Sequence, residues 1–96
     1  MLKDNPLYER IIQYMDKLDY AILHLMVERK ANIKISAITR KVILEEFTIK
    51  SDTLYRRLSR LVKLGYLKNG IQEGRDFTYY ITEQGEQLLM EVINEK

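Results

Sequence analysis

The apolar residues of this 96-residue chain change their spacing at Gly65. Before Gly65 they recur every three or four positions, which is the period of an amphipathic α-helix. From Leu67 to Thr82 they alternate with polar residues, which is the period of a β-strand. Helical spacing returns after Thr82. This order predicts a small α+β domain, in which a helical unit precedes one hairpin and a further helix follows.

Capping residues and apolar stripes divide the chain further. The predicted order is a helix begun by Asn5-Pro6, a helix over residues 20–27 capped by Asp16 or Asp19, a short strand at Ile33-Lys34-Ile35, a helix capped by Ser36, a helix over residues 51–64 capped by Ser51, a hairpin, and a last helix capped by Thr82. Two turns compete within the hairpin. Asn69-Gly70 is the stronger two-residue turn signal, but residues 73–76 leave longer and better matched arms, so we favour them, with Gly70 as a bulge.

Three helices followed by a hairpin make the winged-helix arrangement, a variant of the helix-turn-helix. The predicted fold class is therefore α+β, a winged helix-turn-helix with extra N- and C-terminal helices. Ninety-six residues suffice for one such domain and not for two. Within it we expect an N-terminal helical extension over residues 1–18, a winged-helix core over residues 19–82, and a C-terminal helix over residues 83–96.

Positive charge is concentrated in the middle of the chain. Residues 29–63 carry ten basic and three acidic side chains, whereas residues 1–28 and 83–96 are both net acidic. A basic segment between acidic ends is typical of a nucleic-acid-binding face. By itself the charge is also compatible with a solvated Lys/Arg-rich surface.

Two stretches of the chain resemble known regulators. Residues 51–67 (SDTLYRRLSRLVKLGYL) are similar to the recognition helix and first wing strand of the PadR and MarR families, and residues 80–89 (YITEQGEQLL), with an Ile-Thr-x-x-Gly motif, are similar to their wing exit. The resemblance covers about residues 19–90. It implies a sequence-specific transcriptional regulator of double-stranded DNA, more often a repressor than an activator. No long C-terminal coiled coil follows, unlike in many PadR members, so the exact family stays open.

The resemblance and the helical spacing together predict the DNA-binding residues. With Leu54 inward at ~100° per residue, hydrogen-bonding side chains cover the outward face of the helix, which suits a major groove. We expect base reading near the helix start, phosphate contacts further along, and Arg75 at the wing tip in the minor groove. The candidates are Lys50, Ser51, Asp52, Thr53, Tyr55, Arg56, Arg57, Arg60, Lys63 and Arg75, with Lys34 and Arg40 as possible backbone contacts or plain surface residues.

Apolar stripes on the two terminal helices exceed what a minimal winged helix buries. They favour a homodimer that pairs the N- and C-terminal helices of two subunits, over terminal helices that complete a monomeric core. A two-fold dimer predicts a pseudo-palindromic site. No residues point to a small-molecule effector, and whether one exists is left open.

Other functions find little support in the sequence. The chain has no Cys and one His, so no thiolate or clustered metal site, catalytic constellation or cofactor motif is expected. His24 is expected to be buried or at an interface. The aromatic cluster Tyr66, Phe77, Tyr79 and Tyr80 could stack on single-stranded bases, but aromatics at alternating strand positions are more often core residues, which is the interpretation we favour. No apolar run approaches a membrane span and no signal peptide is evident, so we expect a cytoplasmic protein. The alternatives are a winged-helix protein-interaction module and a plasmid or viral replication or architectural DNA-binding protein.

Overall fold

The structure, a computed structural model, describes residues 15–94. They form helix α1 (Lys17–Glu28), a 3-10 turn (Lys34–Ser36), strand β1 (Ile38–Thr39), helix α2 (Arg40–Leu44), helix α3 (Ser51–Lys63), strands β2 (Leu67–Asn69) and β3 (Thr78–Ile81), and helix α4 (Glu83–Asn94). The predicted N-terminal extension covers residues 1–18, and its first fourteen residues, including the helix start at Asn5-Pro6, lie outside the described part of the chain. Its last residue, Leu18, belongs to α1.

Helix α1 begins with a reciprocal capping box. The Asp16 carboxylate accepts the Asp19 backbone N–H at 3.2 Å, and the Asp19 carboxylate accepts the Asp16 N–H at 3.1 Å. Both aspartates predicted as caps therefore take part: Asp16 is the N-cap, and Asp19 bonds back to its backbone. The prediction that His24 is buried is wrong. Its side chain is 56% exposed, and its Nδ1 lies 3.0 Å from a Glu28 carboxylate oxygen one turn further along the helix.

Two predictions before α3 are also wrong. Ile33-Lys34-Ile35 is not a strand, because the Ser36 hydroxyl bonds back to the Ile33 backbone and closes a 3-10 turn there. The strand falls at Ile38–Thr39 instead. Consequently Ser36 does not cap α2; the Thr39 hydroxyl does, accepting the Val42 N–H at 3.3 Å.

Helix α3 matches its prediction within one residue at its C-terminal end. Leu54, Leu58 and Leu61 are fully buried, and Gly65 turns the chain out of the helix with a φ of +85°. Ser51 is the first helical residue rather than the cap, and the N-cap Lys50 makes no side-chain capping bond.

The described strands form one antiparallel sheet in the order β1-β3-β2. The hairpin turns at residues 73–76, as predicted, where Glu73 and Asp76 exchange backbone hydrogen bonds of 3.0 and 2.9 Å. Tyr79 is buried in the core, but the same prediction is wrong for Phe77, which is 55% exposed. Phe77 precedes β3, at the end of the segment 71–77, in which every residue is exposed.

The Ile-Thr-x-x-Gly motif joins the end of α3 to the start of α4. The Thr82 hydroxyl donates to the Gly65 carbonyl at 2.7 Å and accepts the Gly85 N–H at 3.1 Å, which caps α4 as predicted. The Thr82 N–H donates to the Tyr66 carbonyl at 3.0 Å. Gly85 is required here because a Cβ would lie within 3.0 Å of that carbonyl and of Ile81. The two stretches that resemble the regulator families are thus held together by direct hydrogen bonds.

One core links these elements, and it places α3 at the surface beside the hairpin. Its buried members are Met15, Ile22, Leu23, Leu25, Met26, Ala31, Ile43, Leu54, Leu58, Leu61, Leu67, Tyr79, Ile81, Leu88 and Leu89. Ile43 rather than Phe47 is the fully buried residue near α2. Because the buried residues of α3 are those of its leucine stripe, the face of α3 opposite that stripe is exposed and can contact another molecule.

Candidate nucleic-acid interface

The solvent-facing side of α3 carries most of the predicted DNA-binding residues. Of the nine that lie on α3 or directly before it, six are exposed, three are half-buried and none is in the core. The exposed ones are Lys50, Ser51, Asp52, Tyr55, Arg56 and Lys63, and the half-buried ones are Thr53, Arg57 and Arg60. Asp52 in the first turn and Lys63 in the last turn suit the helix dipole. Among the residues described, neither Arg56 nor Lys63 forms a salt bridge, so both charges face solvent and are available to an anion.

One flank of α3 faces the wing across a groove. A cavity of about 210 Å³ separates them, and its lining brings together three of the predicted residues from three different elements. It is lined by Arg40, Tyr55, Arg75, Asp76, Phe77 and Tyr79. The Arg40 guanidinium lies 5.1 Å from the centre of the Tyr55 ring, a cation–π contact that fixes both side chains at the edge of the groove.

Tyr79 forms part of this groove from the core side. Burial raises the pKa of its phenol above 10.0, while the nearby Arg40 charge acts in the opposite direction and Tyr55 adds to the rise. The phenol is therefore neutral at physiological pH. A neutral hydroxyl can donate or accept a hydrogen bond without adding negative charge to the groove.

The opposite flank of α3 packs against the start of α1 through charged side chains. Arg57 Nη1 lies 2.6 Å from Asp16 Oδ1 and 3.3 Å from Asp19 Oδ2, and Arg60 Nη2 also donates to Asp19 Oδ2. Asp19 is fully buried, whereas the side chain of Asp16 is 52% exposed. Two of the predicted phosphate-contacting arginines thus already have carboxylate partners within the chain.

The ion pair between Arg57 and Asp16 favours the charged form of both groups. The hydrogen bond from Arg57 is the largest cause that lowers the pKa of the Asp16 carboxyl, and the bond to Asp16 is the largest cause that raises the pKa of Arg57. Asp19 Oδ1 and Arg60 Nε are buried without a hydrogen-bond partner in the described part of the chain. Each arginine uses one guanidinium nitrogen in its bonds to the two aspartates.

The remaining predicted residues lie at the edges of this surface. Lys50 is exposed directly before α3. Lys34 stands apart from α3, on the turn that precedes β1, where its carbonyl lies against Gly70 of the hairpin. The close approach to this carbonyl, to Ala37 and to Thr78 leaves no room for a Cβ at position 70.

Two residues beside α3 were not among the predicted contacts. Asn69 and Phe77 of the hairpin border a second cavity of about 240 Å³, together with Tyr55, Ser59, Val62, Lys63 and Tyr79. Strand alternation predicts Phe77 in the core, and in the sequence Asn69 is a turn signal. Because the contact depends on how the hairpin bends toward α3, no local pattern marks either residue.

Within residues 15–94, no three His, Cys, Asp or Glu side chains are grouped so that they could hold a metal ion. No helix in the same range is long and apolar enough to cross a membrane.

Comparisons with known proteins agree on the architecture. TubR from Bacillus megaterium pBM400 superposes with a TM-score of 0.80 at 21% identity, over 93% of this chain and 98% of that one. A MarR mutant from E. coli gives a TM-score of 0.68 at 17% identity, over 82% of this chain but 55% of that one. The chain has the winged-helix fold. Its helices and three-stranded antiparallel sheet confirm the fold class predicted from the sequence.

A curated relative matches in sequence as well. The DNA-binding protein TubR of Clostridium botulinum C phage is 24% identical over 79 residues, which are 82% of this chain and 98% of the relative. No protein-family model matches the chain. At this identity the similarity establishes the fold and the element order, while the function has to be argued from the surface of α3.

Proposed function

We propose that this protein binds double-stranded DNA in a sequence-specific manner, with α3 in the major groove, and that it acts as a transcriptional regulator, most simply a repressor. The observation that carries this proposal is the exposed face of α3, on which Arg56 and Lys63 present positive charges that form no salt bridge within residues 15–94, next to a groove that adds Arg40 and Arg75. A face of this kind matches the phosphate backbone and the base edges of a major groove.

The contacts divide along the helix. The first turns carry Ser51, Thr53, Tyr55 and Arg56, of which Arg56 can bond a guanine O6 and N7 in bidentate fashion. Lys63 and Lys50, at the two ends of the helix, suit phosphates on either side of the groove. Arg57 and Arg60 lie on the same helix, and either could bind a phosphate in exchange for its carboxylate partner.

The wing supplies a second contact. Arg75 lies in the tight turn of the hairpin, next to Gly74 with a φ of +59°, and it shares the groove with Arg40 and Tyr55. From that position it can enter the minor groove beside the α3 site, where A·T-rich DNA attracts arginine. Asp76 next to it limits how close a phosphate can come.

We infer a homodimer through the terminal helices. Met90 and Ile93 on α4 are 61% and 53% exposed, which is unusual for large apolar side chains on a helix whose Leu88 and Leu89 are buried. A two-fold axis near α4 would place two α3 helices about 34 Å apart, one turn of DNA, and would match a pseudo-palindromic site.

The relatives favour a second candidate within the same class of function. This chain spans 98% of the phage DNA-binding protein TubR but 55% of the MarR chain. Its size therefore agrees with a phage or plasmid DNA-binding protein whose sites need not be promoters. A protein-interaction module is disfavoured because the exposed face of α3 keeps its arginines.

The experiment is selection of bound sequences from a random duplex pool, followed by titration of Arg56→Ala and Lys63→Ala. Arg56→Ala should relax the preference at one position and cost roughly 1–3 kcal/mol, whereas Lys63→Ala should weaken all duplexes and lower the salt slope by about one. Lys68→Ala is the matched control. Lys68 is an exposed lysine on β2, and it borders a cavity that is shared with Glu83 and Gln84 at the start of α4 and not with α3. No enrichment from the pool, or equal effects of all three variants, would overturn the proposal. Enriched sites that do not repress a reporter would favour the second candidate.

A further inference from the structure

Arg57 and Arg60 differ in how firmly the chain holds them. Arg60 is bound to Asp19, which is fully buried. If a phosphate replaced Asp19 as the partner of Arg60, the Asp19 carboxylate would lose a charged partner while buried, which costs free energy. Arg57 makes its shortest bond, 2.6 Å, to Asp16, whose side chain is 52% exposed, and a longer one, 3.3 Å, to the buried Asp19. An ion pair of this exposure contributes little free energy. Asp16 is therefore the carboxylate that a competing anion can displace.

A place for that anion adjoins the pair. A cavity of about 350 Å³ opens on this flank of α3, lined by Thr53, Arg56, Arg57 and Arg60. Its lining consists of three arginines and a threonine, side chains that supply donors to a phosphodiester. The same Arg57 thus lies between two acceptors: the Asp16 carboxylate on one side and a phosphate position on the other.

We propose that Asp16 limits the affinity of this protein for duplex DNA, because it competes with the phosphate backbone for Arg57. The inference rests on the proposed DNA binding. Contacts to phosphate supply essentially all of the affinity for non-specific DNA. A carboxylate that keeps one arginine occupied weakens one such contact. Because phosphate contacts carry no sequence information, the affinity for cognate and non-cognate duplexes is lowered alike.

The test measures affinity for a non-cognate duplex over a range of salt concentrations. Asp16→Asn keeps a good helix cap and removes the charge. Releasing Arg57 should add about one phosphate contact, so the slope of log K against log salt should steepen by about 0.9, and non-cognate affinity at moderate salt should rise about 3- to 10-fold. Affinity for the selected cognate site should rise by a similar factor, because the regained contact is to phosphate.

Arg57→Gln, alone and combined with Asp16→Asn, separates competition from a general charge effect. If Asp16 acts through Arg57, Asp16→Asn has no effect on the slope in the Arg57→Gln background. A slope change that persists in that background, or none in the otherwise unchanged protein, overturns the inference. In either case the unmodified protein still binds duplex DNA. Failure of that protein to bind any duplex would instead refute the proposed function.

Discussion

Replacing Asp19 with alanine should destabilise the fold by about 3 kcal/mol. Asp19 Oδ2 accepts three hydrogen bonds, from the Asp16 N–H, Arg57 and Arg60, at a fully buried position. Breaking a buried ion pair costs about 3–5 kcal/mol. Here the side chains of Arg57 and Arg60 are 26% and 36% exposed, so they can turn toward water, which reduces that loss to about 2 kcal/mol. The lost half of the capping box adds about 1 kcal/mol.

Urea unfolding followed by circular dichroism is the assay. With an m-value of about 1.5 kcal/mol per molar urea, the midpoint should fall by about 2 M at unchanged m. Glu45→Ala is the matched control, since it removes an exposed carboxylate and should change the free energy of unfolding by less than about 0.5 kcal/mol. A cycle with Arg60→Ala should show a coupling energy of about 1–2 kcal/mol. An unchanged midpoint for Asp19→Ala, or zero coupling, would refute the view that this carboxylate fixes α3 against α1.

Three further results are expected. Gly85→Ala should lower the free energy of unfolding by about 2–3 kcal/mol, because its Cβ would press on a backbone carbonyl. At Gly74 an added Cβ has no atom within 4 Å, so Gly74→Ala should cost about 1 kcal/mol from its positive φ alone. Urea midpoints of the two variants test this difference. The lowered pKa of Asp16 means that its contribution is present above its ordinary pKa of 3.8 and is lost as the pH falls through the lowered value; the unfolding midpoint should thus fall more steeply below pH 3.8 than in Asp16→Asn, and parallel curves would contradict this. Met90→Lys together with Ile93→Lys should yield monomers in sedimentation at micromolar concentration, and an unaltered dimer would exclude α4 from the interface.

Local patterns were sufficient for most elements of this protein. The leucine stripe of α3, the glycine that ends it, the turn at residues 73–76 and the Thr82 cap all follow from hydrogen bonds or spacings within a few residues. Such signals are contained in the sequence because the interacting groups are neighbours along the chain. The basic character of α3 is visible for the same reason.

Local patterns failed where a neighbouring strand or a bend decided the outcome. Ile33-Lys34-Ile35 alternates like a strand, yet the pairing partner β3 meets the chain at Ile38–Thr39 instead. Phe77 alternates like a core residue, yet it lies where the hairpin has left the core. Alternation describes the faces of a strand, and only packing determines which residues have a layer above them.

The sequence by itself determined the order of helices and hairpin and the concentration of cationic residues on α3. Only the tertiary structure decided how those cations are used. Arg57 and Arg60 meet Asp16 and Asp19 across 38 and 41 positions of the chain, a pairing that exists only once α1 packs beside α3. Charge counted along the sequence treats these arginines as equal to Arg56 and Lys63. In the folded protein they are not equal, because an arginine that already has a carboxylate partner must leave it before it can bind a phosphate.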